Sequence, residues 1–141
     1  MTIPVQTVDL EAMGRGWSAG LRRIRQRVIV CAGTGCVASG SMRVYQALAQ
    51  EIERWGLAVE LQLRPEEEQS DSPEGHPDRY AVTHSGCQGF CQMGPLVTIL
   101  PQNVFYVRVK PEDVPEIVQK TLLGGESVDR LLYVDPRTKK R

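Results

Sequence analysis

Leu10, Met13, Trp17, Leu21 and Ile24 recur at the three-and-four spacing of one helical face. They predict an amphipathic helix over residues 8–26, capped by Thr7 or Asp9, with the arginines mostly on its other faces. Gly14, Gly16 and Gly20 weaken that helix, so it needs a packing partner. Val28–Val30 is a continuous apolar run ending at Cys31, the pattern of a strand buried on both faces. A glycine-rich loop, Ala32 to Gly35, leads to Cys36. The next helix is predicted over 41–55, capped by Ser39 or Ser41, with Val44, Leu48, Ile52 and Trp55 inward and Gly56 as its stop. Residues 57–63 then alternate as a strand, with Leu57, Val59, Leu61 and Leu63 on one side.

Residues 65–79 break the pattern. They are rich in Pro, Glu, Ser, Asp and Gly and have no apolar side chain for a core, so a loop is expected. Strand character returns at Tyr80–His84 and runs into Ser85, Gly86 and Cys87. Leu96–Leu100 and Phe105–Val109 read as a hairpin turned by Pro101, Gln102 and Asn103. Pro111 opens a last helix that buries Val114, Ile117, Val118 and Leu122 and stops at Gly124 and Gly125. Val128–Val134 reads as a short extended segment. The order is strand–helix–strand, a strand hairpin and a C-terminal helix, behind an extra N-terminal helix. It describes an α/β protein with a mixed sheet of thioredoxin-type order. The expected division is a helical extension over 1–26, one α/β domain over 27–126 and a tail over 127–141.

Composition narrows the function classes. The chain has 141 residues, with 17 basic and 17 acidic side chains and no formal net charge. Nucleic-acid and membrane-surface binding both reward a basic excess that is missing here. The apolar runs are too short to span a bilayer, and the N-terminus lacks the pattern of a secretory signal. A cytoplasmic protein is expected. Charge is nonetheless uneven: Arg15, Arg22, Arg23, Arg25 and Arg27 crowd the N-terminal part, and six acids crowd residues 66–78. Arg137, Lys139, Lys140 and Arg141 make the end basic. Solvated surface explains each cluster most simply; docking to partner subunits of opposite sign is the sharper reading.

The candidate chemistry lies in four cysteines. Four residues separate Cys31 from Cys36, three separate Cys87 from Cys91, and fifty lie between the pairs. Each pair follows a predicted strand in a glycine-rich loop. If those strand ends are neighbours, four thiolates converge at one sheet edge. Such a site suits a [2Fe-2S] cluster, which takes four thiolates and benefits from nearby backbone N–H groups. Gly33, Gly35 and Gly40 around one pair, and Gly86, Gly89 and Gly94 around the other, permit that close approach. Structural zinc and dithiol redox chemistry remain alternatives, although both favour two residues between cysteines. His84 reads as a strand-end residue rather than a ligand. The glycine, serine and acidic patterns support no nucleotide, serine-hydrolase or calcium site.

The motif Cys31-Ala-Gly-Thr-Gly-Cys36-Val-Ala-Ser-Gly-Ser41 is followed by Gly86-Cys87-Gln-Gly-Phe-Cys91-Gln-Met-Gly-Pro95. With Phe105-Tyr106 and Val109-Lys-Pro-Glu-Asp-Val114, these stretches resemble the thioredoxin-like [2Fe-2S] ferredoxins. The likeness covers roughly residues 27–135. It is greatest to the version fused to the N-terminus of NADH-binding flavoprotein subunits of NAD-linked hydrogenases, formate dehydrogenases and complex I relatives. The resemblance implies that Cys31, Cys36, Cys87 and Cys91 hold the cluster. Short loops suggest Cys31 with Cys36 on one iron and Cys87 with Cys91 on the other. Phe90, Met93 and Pro95 would shield it.

The implied function is one-electron transfer, without catalysis by this chain alone. The implied partners are an FMN- and NADH-binding flavoprotein and other iron–sulfur subunits, with a second copy of the chain also considered. The basic helix and the acidic loop are the docking candidates. No direct membrane insertion or nucleic-acid binding is expected. The stretch from Ala58 to Tyr80 is longer than the connection in the fused version, and the chain stops at Arg141, so no flavin or NADH site is expected within it. The alternative is a structural or assembly module in which a cluster or zinc only holds the fold.

Overall fold

In a computed structural model, residues 9–22, 24–61 and 79–141 are described. The helices are α1 (Leu10–Arg22), α2 (Thr34–Ala38), α3 (Ser41–Arg54) and α4 (Val114–Ile117), the last continuing as π-helix over Val118–Leu123. The strands are β1 (Ile24–Cys31), β2 (Ala58–Glu60), β3 (Arg79–Ser85), β4 (Val97–Leu100) and β5 (Val104–Tyr106). They form one five-stranded sheet in the order β2-β3-β1-β4-β5. β2, β3 and β1 run parallel, while β4 is antiparallel to β1 and β5 to β4. This is the mixed sheet that the element order predicts.

The helices α3 and α4 cover one face of the sheet. Val44, Leu48 and Ile52 of α3 meet Val28, Val30, Tyr80, Val82, Val97 and Ile99 from the strands, with Val114, Ile117, Val118 and Leu122 completing the core. Each such side chain, taken fully out of water, contributes about 1.5–3 kcal/mol. The burial of β1 alternates: Gln26, Val28 and Val30 are buried, while Arg27 and Ile29 stay part-exposed. The expectation of a strand buried on both faces is therefore corrected. The apolar run is continuous, but α3 and α4 pack on the same side.

Other boundaries shift for local reasons. α1 ends at Arg22 and β1 begins at Ile24, so Ile24–Gln26 belong to the sheet rather than to the predicted helix. The face of α1 expected to be inward is largely exposed: Leu10 is 76% accessible, Met13 51% and Trp17 39%. Trp55 is 48% accessible, because it lies past the end of α3, where its Nε1 donates to Glu51 Oε1 at 3.3 Å. Leu61 is exposed, and Leu63 and residues 65–78 of the acidic stretch lie outside the described residues. β5 ends at Tyr106, short of the predicted Val109, because Arg108 takes a left-handed backbone, φ 51°. The segment expected to be extended over 128–134 contains a 3₁₀ turn, Asp129–Leu131, and one bridge from Leu132 to Tyr106.

Tyr106 ties that segment to α4. Its hydroxyl accepts from the Val128 N–H at 2.8 Å and lies 2.6 Å from Thr121 Oγ1, all three groups being buried. Tyr106→Phe strands two buried polar groups. It is expected to cost about 1–3 kcal/mol of unfolding free energy, read from the denaturant midpoint. Arg130 fastens the same segment from outside: its guanidinium donates to Asp113 Oδ1 at 2.7 Å and to Glu116 Oε2, while Lys120 Nζ reaches Glu116 Oε1 at 3.0 Å. Arg130 first, and then Lys120, hold the Glu116 carboxyl below its ordinary 4.5. A lowered carboxyl pKa stabilises the fold above the unfolded value, and that contribution is lost as pH falls through the folded one. Glu116→Gln is therefore expected to lower Tm slightly at neutral pH. The gap from the parent should close as pH falls below about 4, followed by thermal melts across pH.

Candidate metal centre

Parallel pairing of β1 with β3 sets Cys31 opposite Ser85, and the Ala32 N–H donates to the Ser85 carbonyl at 2.9 Å. The loops carrying the two cysteine pairs therefore leave neighbouring strand ends, which is the condition the sequence left open. β4 adds the third side. It is antiparallel to β1, and the Cys31 N–H donates to the Leu96 carbonyl at 3.1 Å, bringing Met93–Leu96 across the first loop.

Within this enclosure Cys31 and Cys36 are fully buried, and the Cys31 thiol donates to the Gly86 carbonyl at 3.6 Å. Cys87 and Cys91 are exposed, with their sulfurs 3.6 Å apart. All four are free thiols. Cys36 was expected in a loop, but it lies on α2, a short helix that its glycine-rich sequence did not signal. The 3₁₀ turn Cys91–Met93 carries Cys91.

Three glycines interlock with the cysteines. A Cβ on Gly33 would lie 2.9 Å from Cys87 Cβ, and one on Gly35 would lie 2.9 Å from Cys91 Cβ. On Gly94 it would lie 2.6 Å from Cys36 Sγ. Real Cβ atoms do not approach so closely, so only glycine allows these loops to nest. Gly40 and Gly89 serve differently, at φ 99° and 77°, whereas Gly86 has open space beside it.

The environment divides the thiols electrostatically. Burial pushes the Cys31 thiol up, but backbone N–H groups of Gly33 and Gln88, with help from the Cys36 thiol, outweigh it and bring it below its usual value. Burial pushes Cys36 up to about 11, reinforced by Cys31 and opposed by the Leu96 backbone. The neighbouring Cys87 raises Cys91. The Gly89 N–H donates to Cys87 Sγ at 3.3 Å. Donors thus point at sulfur from several sides, an arrangement that stabilises thiolates and sulfur-bound metal.

A small apolar cluster walls the buried pair. Leu96 and Val107 are buried with Cys31 and Cys36, and Phe90, Met93, Phe105 and Tyr133 pack against them. The Phe90 ring meets Tyr133 edge-on at 5.0 Å. Phe90 and Met93 were expected here. Tyr133 was not, because it lies far along the chain and no local pattern links it to the cysteines.

A family model for thioredoxin-like [2Fe-2S] ferredoxins matches residues 22–122. The chain belongs to the thioredoxin-like [2Fe-2S] ferredoxin family. A 2Fe-2S ferredoxin of Aquifex aeolicus is 55% identical over 51 residues, covering 36% of this chain and 46% of that one. One from Clostridium pasteurianum is 28% identical over 96 residues, covering 68% and 76%. The match thus spans less than half of the Aquifex relative's length. A crystal structure of the thioredoxin-like [2Fe-2S] ferredoxin from Aquifex aeolicus superposes with TM-score 0.57 at 32% identity, covering 79% of this chain and 99% of that one. The thioredoxin-like fold and a [2Fe-2S] cluster follow from this membership, as does iron–sulfur electron transfer. The donor chemistry suits that cofactor: thiols on adjoining loops, the Gly89 N–H aimed at Cys87 sulfur, and glycines at which an added Cβ would run into Cys87, Cys91 and Cys36. Among the described residues, no helix is long and apolar enough to cross a membrane.

Proposed function

We propose that Cys31, Cys36, Cys87 and Cys91 ligate the cluster, Cys31 with Cys36 on one iron and Cys87 with Cys91 on the other. On this reading the chain relays single electrons in the cytoplasm, to or from a flavoprotein of an NAD-linked oxidoreductase complex. The observation that supports the ligand pairing is the placement of two thiol pairs at hydrogen-bonded strand ends, one buried and one exposed. When bound, the cluster supplies reversible one-electron chemistry.

The chain's own residues do the rest. The N–H groups of Gly33, Gln88 and Gly89 offset negative charge on sulfur, and Leu96 supplies a further backbone donor beside Cys36. The cluster of Leu96, Val107, Phe90 and Tyr133 excludes water from the buried side. Cys87 and Cys91 open the other side to a partner. A rigid sheet edge limits rearrangement between oxidation states.

The partner is tested by following visible absorbance on mixing with NADH, alone and with the NADH-oxidising flavoprotein subunit of a NAD-linked hydrogenase or formate dehydrogenase. Bleaching is expected only with the flavoprotein. If dithionite bleaches the sample and no such flavoprotein does, the assignment to an NAD-linked complex fails while the relay stands. A cluster that no reductant bleaches would favour the structural module.

A further inference from the structure

One cationic group touches the turn that carries Cys91: Arg108. Its φ is 51°, a left-handed backbone that arginine rarely adopts, and the chain holds it there with bonds on both sides. The Arg108 N–H donates to the Met93 carbonyl at 2.7 Å, the Val107 N–H to Leu131 at 2.8 Å and the Val109 N–H to Pro95 at 3.1 Å. Met93 closes the turn that carries Cys91. The exposed guanidinium lies against this turn, with Nη2 3.7 Å from Met93 Sδ. Among the described residues no ion pair engages it.

Residues 12–50 and 79–111, which hold the four cysteines and Arg108, contain no Asp or Glu, and on the Tyr133 segment the Asp135 carboxylate accepts from the Arg137 and Thr138 N–H groups. The second segment carries Arg79, Arg108 and Lys110, and Lys110 is exposed two residues beyond Arg108. The next carboxylates are Glu112, which is exposed, and Asp113, already occupied by Arg130 and the Lys110 N–H. Gln88, Gly89 and Gln92 leave the rim around Cys87 and Cys91 exposed and uncharged.

We propose that the face formed by the Cys87–Cys91 loop and Arg108 is the docking surface for an acidic redox partner, with Arg108 as its fixed recognition cation. This rests on the relay reading above. The left-handed backbone and the contact with Met93 Sδ place the charge against the turn that carries Cys91. An acidic rim on the partner would then be drawn to the point of shortest approach, which raises encounter rates and is screened by salt.

The test uses small ions of opposite sign on the oxidised and reduced holoprotein. Hexacyanochromate(III), an inert paramagnetic anion, is titrated into the oxidised protein and amide broadening is mapped. Broadening is expected to centre on residues 108–110 and to weaken severalfold in Arg108→Glu. The Arg108→Asn variant, whose side chain tolerates positive φ, should lie between them. Broadening centred on the N-terminal arginines or the basic C-terminal tail would overturn the proposal. Reduced protein is then mixed with ferricyanide or hexaamminecobalt(III), each of which takes one electron, giving ferrocyanide or cobalt(II). At low salt Arg108→Glu should lower the ferricyanide rate by roughly threefold or more and raise the cobalt rate. The difference should collapse near 1 M salt. Arg54→Glu, at the far end of α3, should change neither rate. Rates unaltered in an Arg108→Glu protein with a normal visible spectrum would refute the docking surface. A protein that cannot be reduced would refute the relay reading instead.

Discussion

A Gly94→Ala variant is expected to be purified with its fold intact and most of its cluster missing, although it changes no ligand. The added methyl would meet Cys36 Sγ at 2.6 Å and the Cys91 carbonyl at 3.3 Å. Cys36 is fully buried and can yield only by turning its sulfur away from the site. The loop can yield little either. The Gly94 N–H donates to Cys91 O at 3.2 Å, while Arg108 and Val109 hold Met93 and Pro95. Displacing a group that positions a ligand typically costs ~10–100-fold in metal affinity. Iron and sulfide per chain should fall accordingly, while far-ultraviolet circular dichroism stays unchanged. The core formed by α3, α4 and the strands does not involve Gly94. Gly86→Ala is the control: nothing lies within 4 Å of its added methyl, so full iron loading is expected. A fully loaded Gly94→Ala protein would show that Cys36 is not required where the structure places it.

The second large effect concerns the inequality of the two cysteine pairs. Cys36→Ser is expected to retain ~10-fold less iron than Cys91→Ser, each measured after anaerobic reconstitution. Burial already disfavours the charged form at Cys36, lifting its thiol to about 11. A serine there must bind as a still more basic alkoxide, with no solvent to replace it. Cys91 is exposed, so water or hydroxide can complete the coordination that its loss leaves open. The Cys91→Ser protein should hold iron with an altered visible spectrum. Equal losses at the two positions would mean that both pairs bind in the same environment.

Much of this site was legible in the cysteine spacing, because loops after parallel strands meet wherever those strands are adjacent. The sequence could not say that β1 and β3 are adjacent; the backbone bonds from Ala32 to Ser85 and from Cys31 to Leu96 do. It also could not say which thiols are buried, since that depends on Val107 and Tyr133, remote in the chain. The core stripes of α3 and α4 were read correctly from periodicity. Periodicity failed for Trp17, because an amphipathic stripe shows which face is apolar, not whether another element covers it. It failed for Arg108 for a different reason. The apolar run Val104–Val109 reads as strand, and only the bonds to Met93, Leu131 and Pro95 turn the backbone out of it.

The proposed site is a single redox-active two-iron centre held by the four cysteines. Its most direct measurement is the electron paramagnetic resonance spectrum of the dithionite-reduced protein, quantified against bound iron and sulfide. About two irons, two sulfides and one unpaired spin per chain are expected, with the spin signal lost when Cys36 is replaced by serine. A colourless, zinc-loaded protein without a signal would contradict it, as would an undiminished signal in Cys36→Ser.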